Sequence, residues 1–138
     1  DDFISFVHDL SEKFFVVICV GGGSQINAGL AQKGEESLFG PLGRELVDFH
    51  LRQHARDILE SNQASLQDLL ADECIPATVI IPVLDIGTVL CHINGDTFVE
   101  TAYLGFDALY VVTTEERVSA KQKRFQHLPK VVVVGINP

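Results

Sequence analysis

The chain has 138 residues, of which 46% are hydrophobic and 21% are charged, and its formal net charge is −9. This length fits one domain, and the hydrophobic fraction supports a packed core, which excludes a disordered chain. The acidic balance argues against nucleic acid or an anionic membrane as a partner, because both require a surplus of Lys and Arg. No apolar run is long enough to cross a membrane, so we predict a soluble, cytoplasmic protein.

Cysteine usage and the first residue add two expectations. Cys19, Cys74 and Cys91 do not have the spacing of a metal site, so we expect reduced, buried thiols of a cytosolic protein. The sequence does not begin with Met. We therefore expect residues 1–138 to be a single domain that is incomplete at one or both ends.

The first third of the chain alternates helix and strand. Apolar residues recur at helical spacing over residues 3–13 and predict a short amphipathic helix. Phe14 to Val20 is an unbroken apolar run, which is typical of a strand buried on both faces of a parallel sheet. Gly21-Gly22-Gly23 ends this run, and Ser24 is predicted to cap a helix over Gln25 to Gln32.

The middle of the chain is predicted to be mainly helical. Residues 33–43 carry three glycines and a proline and are predicted to form a loop. Apolar residues at helical spacing predict a helix over Arg44 to Leu59. A second helix is predicted from Ser65 through Ala71, followed by a strand over Ala77 to Val83.

The last third contains further short strands and one helix. The pattern predicts extended segments over Thr88 to Ile93, Leu109 to Thr113 and Lys130 to Ile136, and a helix over Asp96 to Leu104. Glu115-Glu116 is predicted to lie in a solvated loop. Buried Val-rich strands that alternate with helices predict an α/β protein, a three-layer sandwich with a mainly parallel sheet and helices on both faces.

The glycine segment is the first candidate for chemistry. Gly21, Gly22 and Gly23 lie between a buried strand and a helix, and glycines let the backbone approach a ligand closely. The start of the following helix offers unpaired N–H groups and the positive end of the helix dipole, which together suit an anion. The alternative is a plain tight turn. The pattern is neither a Walker loop nor the dinucleotide-binding fingerprint.

The second candidate segment surrounds Asn94 and Asp96. Both polar residues lie at the entry to a predicted helix, and that helix leads into the strand that ends at Thr113. Their spacing is also that of a simple helix cap, with Gly95 in the turn. The residues alone leave both interpretations open.

Together the two segments resemble the amino-acid-kinase family, in particular its acetylglutamate and uridylate kinases. In that family a strand ends in three glycines followed by Pro-Gln-Ile-Asn, and here Gly21-Gly22-Gly23 is followed by Ser-Gln-Ile-Asn. Later the family has Asn-x-Asn-Ala-Asp at a helix start, then a strand ending in Thr-Asp. Here the first segment reads His92-Ile93-Asn94-Gly95-Asp96, and the strand ends at Thr113. The resemblance covers about residues 3–118.

The resemblance implies phosphoryl transfer from ATP, with Mg²⁺, to a small acidic acceptor such as a carboxylate or a nucleoside monophosphate. The implied substrate-binding residues are Gly21, Gly22, Gly23 and Asn94. The implied catalytic residues are Asp96 and Lys130, and the implied nucleotide-binding residues are Thr113 and Thr114. Members of the family usually form oligomers, so the resemblance also implies a homo-oligomer.

The chain departs from the family at three places, which leaves two alternatives open. The family's first strand, with its Lys and glycine pair, has no counterpart here, and the Thr-Asp-x-x-Gly nucleotide segment reads Thr-Thr-Glu-Glu-Arg from Thr113. The first Asn of the later motif is replaced by His92. One alternative is a non-catalytic ligand-binding or storage subunit of the same fold. The other is a LUD-like domain, which Leu128 to Asn137 resembles and which predicts no ATP binding.

A possible metal site is discounted at the sequence level. His50 and His54 are four residues apart on one predicted helix, a spacing that zinc ligands use. However, no Glu follows His50 as in the zinc-protease motif, and Arg52 and Arg56 crowd the same helix. No protein metal site is therefore predicted.

Overall fold

The computed structural model describes residues 2–40, 43–86, 89–92 and 94–136, with side chains over the same ranges apart from 84–92. The helices are α1 (Asp2–Ser11), α2 (Gly23–Gln32), α3 (Phe49–Asp72), α4 (Gly95–Ala102) and α5 (Glu115–Phe125), with a 3₁₀ turn at Tyr103–Gly105. The strands are β1 (Val16–Cys19), β2 (Leu38–Gly40), β3 (Gly43–Glu45), β4 (Ala77–Ile80), β5 (Val83–Ile86), β6 (Val89–His92), β7 (Leu109–Thr114) and β8 (Val131–Ile136).

The chain divides into two compact units. The larger unit is Ile4–Phe98, and the smaller unit is Val99–Pro138 together with Asp1–Phe3. The predicted mixed α/β class is confirmed, because helices alternate with strands and two of the strand pairs are parallel. The three-layer sandwich stays a prediction, since the described strands form two-stranded sheets.

The larger unit is built around a parallel strand pair and two packed helices. β1 pairs with β4 in a register that sets Val16 opposite Ala77. α2 packs against α3 through a buried cluster consisting of Ile26, Leu30, Ala55 and Leu59. Burial of an aliphatic side chain stabilises a fold by about 1.5–3 kcal/mol, so this cluster holds the start of α2 close to α3.

The start of α3 differs from its prediction. The helix begins at Phe49 and not at Arg44, because the side chain of Asp48 accepts hydrogen bonds from the backbone N–H groups of His50 and Leu51, at 2.7 and 3.2 Å. A carboxylate in this position satisfies N–H groups that have no partner within the helix. Arg44 consequently lies in β3.

α3 is one continuous helix where two were predicted. Ser65 does not cap a new helix, because its hydroxyl donates to the carbonyl oxygen of Ser61, at 2.9 Å, within the same helix. The helix ends at Asp72 with Glu73 as its C-cap, and Cys74 follows with a φ of 57°. The backbone N–H of Ile75 then bonds the carbonyl oxygen of Leu70 at 2.8 Å, which closes a Schellman turn.

The remaining strands of the larger unit form two antiparallel pairs. β2 pairs with β3 across part of the segment predicted as loop, and β5 pairs with β6. The strand predicted over Ala77 to Val83 is interrupted, because β4 ends at Ile80 and β5 begins at Val83, with Pro82 between them. Proline lacks the N–H that a continuous ladder would need.

The smaller unit is a second parallel pair joined through a helix. β7 and β8 run in register from Leu109 opposite Val131 to Thr114 opposite Ile136. α5 connects them and buries Phe125, which is 3% exposed. The loop predicted at Glu115-Glu116 is wrong, since both residues form the first turn of α5. Their negative charges are favourable there because the helix dipole is positive at its N-terminus.

Two properties of the described chain bear on the sequence analysis. The expectation of buried thiols is wrong for Cys19 and Cys74, which are both exposed, while the side chain of Cys91 lies outside the described residues. Partial burial of the Cys19 thiol raises its pKa to about 12, although the residue as a whole is exposed. Among the described helices, none combines the length and the apolar character needed to cross a membrane.

Candidate functional site

The glycine segment forms the predicted link between a strand and a helix. The pairing of β1 with β4 continues one residue past the strand, where the N–H of Val20 donates to the carbonyl oxygen of Ile80 at 2.9 Å. α2 begins at Gly23, with Gly22 at its N-cap position. The predicted Ser24 cap is wrong, because the helix starts earlier and no side chain caps it. The backbone N–H groups of the first turn therefore have no side-chain acceptor from the N-cap residue.

Helix α3 holds this glycine loop, residues 21–23, in place. The side-chain amide of Asn62 donates to the carbonyl oxygen of Gly21 at 3.0 Å. A methyl group added at Gly22 would lie 3.1 Å from both Asn62 Nδ2 and Leu59 Cδ2, so these two side chains of α3 would have to shift by a few tenths of an ångström to accept it. At Gly21 the same methyl group would have no neighbour within 4 Å. The loop is thus packed at Gly22 and open at Gly21.

Arg44 provides a positive charge next to the loop. Its guanidinium donates to the carbonyl oxygen of Gly23 at 3.2 Å and to Asn27 Oδ1 at 2.6 Å. It also bonds the hydroxyl of Ser37, which in turn donates to Asn27 at 2.8 Å. The guanidinium lies 4.7 Å from the ring centroid of Phe39, and partial burial lowers its pKa from the ordinary value. Arg44 stays charged at neutral pH, as arginine does throughout proteins.

Asn94 lies against Gly43, the residue that precedes Arg44 in the same hairpin strand. Gly43 has a φ of 109°, and a methyl group added there would lie 2.7 Å from Asn94 Cγ. Asn94 Oδ1 accepts from the N–H of Asp96 at 3.0 Å, and its carbonyl oxygen accepts from Phe98 at 2.8 Å. These are the bonds of a helix N-cap, so Asn94 caps α4 as the simpler interpretation of the sequence expected.

The β2–β3 hairpin therefore joins the two segments that carry the family resemblance. Arg44 of β3 bonds the glycine loop at Gly23, and the preceding residue, Gly43, packs against Asn94. All four residues lie in the larger unit. Gly23 and Asn94 thus contact neighbouring residues of one strand, Arg44 and Gly43. This arrangement was not predicted from the sequence.

The predicted catalytic Lys130 lies in the smaller unit and is engaged in backbone contacts. Its ammonium group donates to the carbonyl oxygens of Tyr103 and Phe106, at 2.6 Å each. The same nitrogen lies 4.3 Å from the ring centroid of Tyr103. Two charge-assisted hydrogen bonds and a cation–π contact anchor the turn after α4 to the residue that precedes β8.

Thr113 and Thr114, the predicted nucleotide-binding residues, are the last two residues of β7. Thr114 occupies the N-cap position of α5, and its hydroxyl donates to Glu116 Oε1 at 3.4 Å. The carboxylate of Glu115 lies over the backbone of Gly135, where an added methyl group would be 2.6 Å from Glu115 Cδ. Two carboxylates next to Thr114 disfavour the phosphates of a nucleotide unless a cation lies between them.

Two histidines that were weighed as metal ligands are engaged in packing. The rings of His50 and Phe49 meet edge to face at a centroid distance of 5.8 Å. His54 packs against the backbone of Gly29, and its buried Nε2 has no hydrogen-bond partner among the described residues. Within the part of the chain that the structure describes, no group of three or more His, Cys, Asp or Glu side chains is placed to hold a metal ion.

Three residues near the loop were not predicted from the sequence, namely Asn27, Arg44 and Asn62. Arg44 was assigned to a helix, so its contact with Gly23 had no signal in the pattern. Asn62 and Gly21 are 41 residues apart, and their contact depends on how α3 crosses the strand pair. Asn27 had a sequence signal, since it ends the Gln-Ile-Asn part of the glycine motif.

Comparison with known proteins leaves the family open. No protein-family model, no curated protein and no solved structure matches the chain. Membership of the amino-acid-kinase family therefore stays a prediction from the two sequence segments.

Proposed function

We propose that this chain belongs to a phosphotransferase of the amino-acid-kinase type, which transfers a phosphoryl group from ATP to a small acidic acceptor. The acceptor is a carboxylate or a nucleoside monophosphate. The observation that carries the proposal is the joining of both motif segments by the β2–β3 hairpin, at Gly23 and Asn94. The proposal includes the three-layer sandwich, a cytoplasmic location and assembly into a homo-oligomer.

The loop of the larger unit is suited to an anionic acceptor. The first turn of α2 has no side-chain cap, the backbone at Gly21 is open, and the guanidinium of Arg44 lies beside Gly23. Backbone N–H groups at a helix start and a nearby arginine both favour phosphate or carboxylate oxygens. In this proposal the loop and Arg44 hold and orient the acceptor, since phosphoryl transfer depends mainly on positioning and on charge neutralisation.

The residues proposed for ATP and Mg²⁺ fit less well than those proposed for the acceptor. Mg²⁺ would neutralise the charge of the transferred group, and it prefers carboxylate and phosphate oxygens. Asp96 lies at the start of α4 in the larger unit, and Glu115 and Glu116 lie at the start of α5 in the smaller unit. Glu115 and Glu116 are held against Gly135 and Thr114. A bound nucleotide would have to displace them or share a cation with them.

A second candidate function is favoured by Lys130. Both of its 2.6 Å contacts are to backbone carbonyl oxygens, so its charge is used to anchor a turn. If no other lysine neutralises the transferred phosphoryl group, the protein is a binding or storage subunit that holds the acidic ligand without turnover. In this second candidate function the glycine loop still binds the acidic ligand, but no phosphoryl group is transferred.

Phosphorus NMR of the chain incubated with MgATP and single acceptors separates the two candidates. The acceptor panel holds small carboxylates and nucleoside monophosphates. A kinase produces ADP and a phosphorylated acceptor, and Asp96→Asn lowers the rate by about 100-fold if Asp96 organises the transferred charge. The matched control, Asp107→Asn, changes an exposed carboxylate in the smaller unit and leaves the rate unchanged.

Calorimetry completes the test. Acceptor binding without any transfer would select the binding subunit over the kinase. Failure of the folded protein to bind either MgATP or any member of the acceptor panel would contradict both candidates.

A further inference from the structure

Among the described strands, β4 pairs with β1 along one edge and has no strand partner along the other. The carbonyl oxygen of Ile80 faces β1, since it accepts from Val20 at 2.9 Å. Backbone groups of alternate residues point to opposite edges of a strand, so those of Ala77 and Val79 point away from β1. In the described sheet β4 has β1 as its strand partner.

Two glutamine side chains of α3 occupy this second edge. Gln67 donates from Nε2 to the carbonyl oxygen of Ala77 at 3.0 Å and accepts from the N–H of Val79 at 2.9 Å. Gln63 donates to the carbonyl oxygen of Val79 at 2.7 Å. The amide of Gln67 therefore makes the same pair of bonds that a peptide group of a neighbouring strand would make.

The placement of the two amides follows from the helix. Gln63 and Gln67 are four residues apart and lie on the same face of α3, as residues at this spacing do. The helix is fixed against the strand by buried side chains, among them Leu70 at 0% exposure and Val79 at 3%. The amides are thus held at the strand and do not sample solvent freely.

The strand that they cover has the composition of a segment that associates with itself. Residues 74–84 carry no charged side chain, and Thr78, Val79 and Ile80 are residues with high β-propensity. An uncharged strand with an open edge is a template for pairing with another chain. No charged side chain protects the edge within this stretch, and the prolines that could limit pairing, Pro76 and Pro82, flank the strand.

We propose that Gln63 and Gln67 keep the outer edge of β4 from pairing with β4 of a second copy of the chain. The edge is a concealed self-association surface, and the α3 amides close it by taking up its hydrogen bonds. This inference does not depend on the proposed activity, because every contact that carries it lies in α3 and β4.

The test replaces both glutamines by leucine, a side chain of similar size that cannot form hydrogen bonds. The molar mass of Gln63→Leu/Gln67→Leu is measured by size-exclusion chromatography with light scattering over a range of concentrations. We expect its mass to rise to at least twice that of the unmodified chain under the same conditions. The matched control, Gln25→Leu/Gln32→Leu, adds two leucines at exposed positions of α2 and is expected to leave the mass unchanged.

A third variant distinguishes strand pairing from association through unfolding. Thr78 is exposed on β4, and a lysine there opposes pairing because two copies would bring like charges together. Adding Thr78→Lys to the double variant is expected to restore the original mass. If the double variant keeps the original mass, or if the lysine does not reverse an increase, the proposal is wrong.

Hydrogen exchange of the unmodified protein provides a test that does not require the variants to fold. The N–H of Val79 is expected to exchange slowly, like those of the β1–β4 ladder, because Gln67 accepts its hydrogen bond. Exchange at the rate of an exposed amide would show that the edge is open and would overturn the inference.

Discussion

The side-chain amide of Asn62 donates to the carbonyl oxygen of Gly21 at 3.0 Å and so ties the glycine loop to a helix 41 residues away in sequence. Gly22, the next residue, packs against the same helix, where an added methyl group would lie 3.1 Å from the side chains of Asn62 and Leu59. The conformation of the loop is consequently set by α3 as well as by β1 and α2. A loop fixed in this way is pre-organised for a ligand, which reduces the entropy lost on binding.

We predict that Asn62→Ala destabilises the larger unit by about 1 kcal/mol, because one hydrogen bond to the Gly21 carbonyl is lost. Urea denaturation measures the change. Ser61→Ala, at a neighbouring exposed position of α3, is the control and is expected to shift stability by no more than about 0.5 kcal/mol. Equal stability of Asn62→Ala and the unmodified chain would mean that α3 does not hold the loop through this bond.

Cys74 occupies a position that favours glycine. Its φ of 57° lies in the left-handed region, which costs an L-residue about 1 kcal/mol relative to glycine. We predict that Cys74→Gly raises the midpoint of thermal unfolding, since it removes this strain while keeping the turn after α3. Cys74→Ala removes the thiol but not the strain, so it is expected to give no gain. Stabilisation by both variants to the same extent would assign the effect to the thiol.

Lys130 is predicted to contribute to stability, whichever function the protein has. Lys130→Ala removes two hydrogen bonds to carbonyl oxygens and a cation–π contact, and we expect a loss of about 2–3 kcal/mol in urea denaturation. Lys123→Ala, at an exposed position of α5, is the control and is expected to have little effect. If the Lys130→Ala protein were fully stable but inactive, the result would instead support a catalytic role for Lys130.

The link from β1 through the glycine loop to α2 could be predicted because its signals are local. A Val-rich apolar run and three consecutive glycines define a strand end and a turn within eight residues, Val16 to Gly23. The strands β7 and β8 were predicted for the same reason. α4 was also found, since Asn94 and Asp96 mark its start.

The contacts that complete the candidate site could not be predicted, because they join distant parts of the chain. Arg44 lies in a charged, partly apolar stretch whose pattern predicts a helix. In the structure the helix is instead capped at Asp48, and Arg44 lies in the strand pair of β2 and β3. α5 was missed because its charged residues outnumber its apolar ones, which hides the helical period. The amides of Gln63 and Gln67 had no signal, since glutamine is common on exposed helix faces.

The glycine loop is proposed to bind an anion, and calorimetric titration of Gly21→Ala is the most direct test. The added methyl group meets no protein atom within 4 Å, so the fold is expected to be unchanged, while the group projects into the space open to a ligand. Gly105→Ala is the control, since its methyl group is equally unobstructed and lies in the smaller unit.

With the acceptor identified by the transfer or binding assay as the titrant, we predict that Gly21→Ala weakens binding by at least about 10-fold, which corresponds to about 1.4 kcal/mol. Gly105→Ala is predicted to bind as the unmodified chain does. Equal affinities for all three proteins would contradict the account, because the ligand would then bind away from the loop.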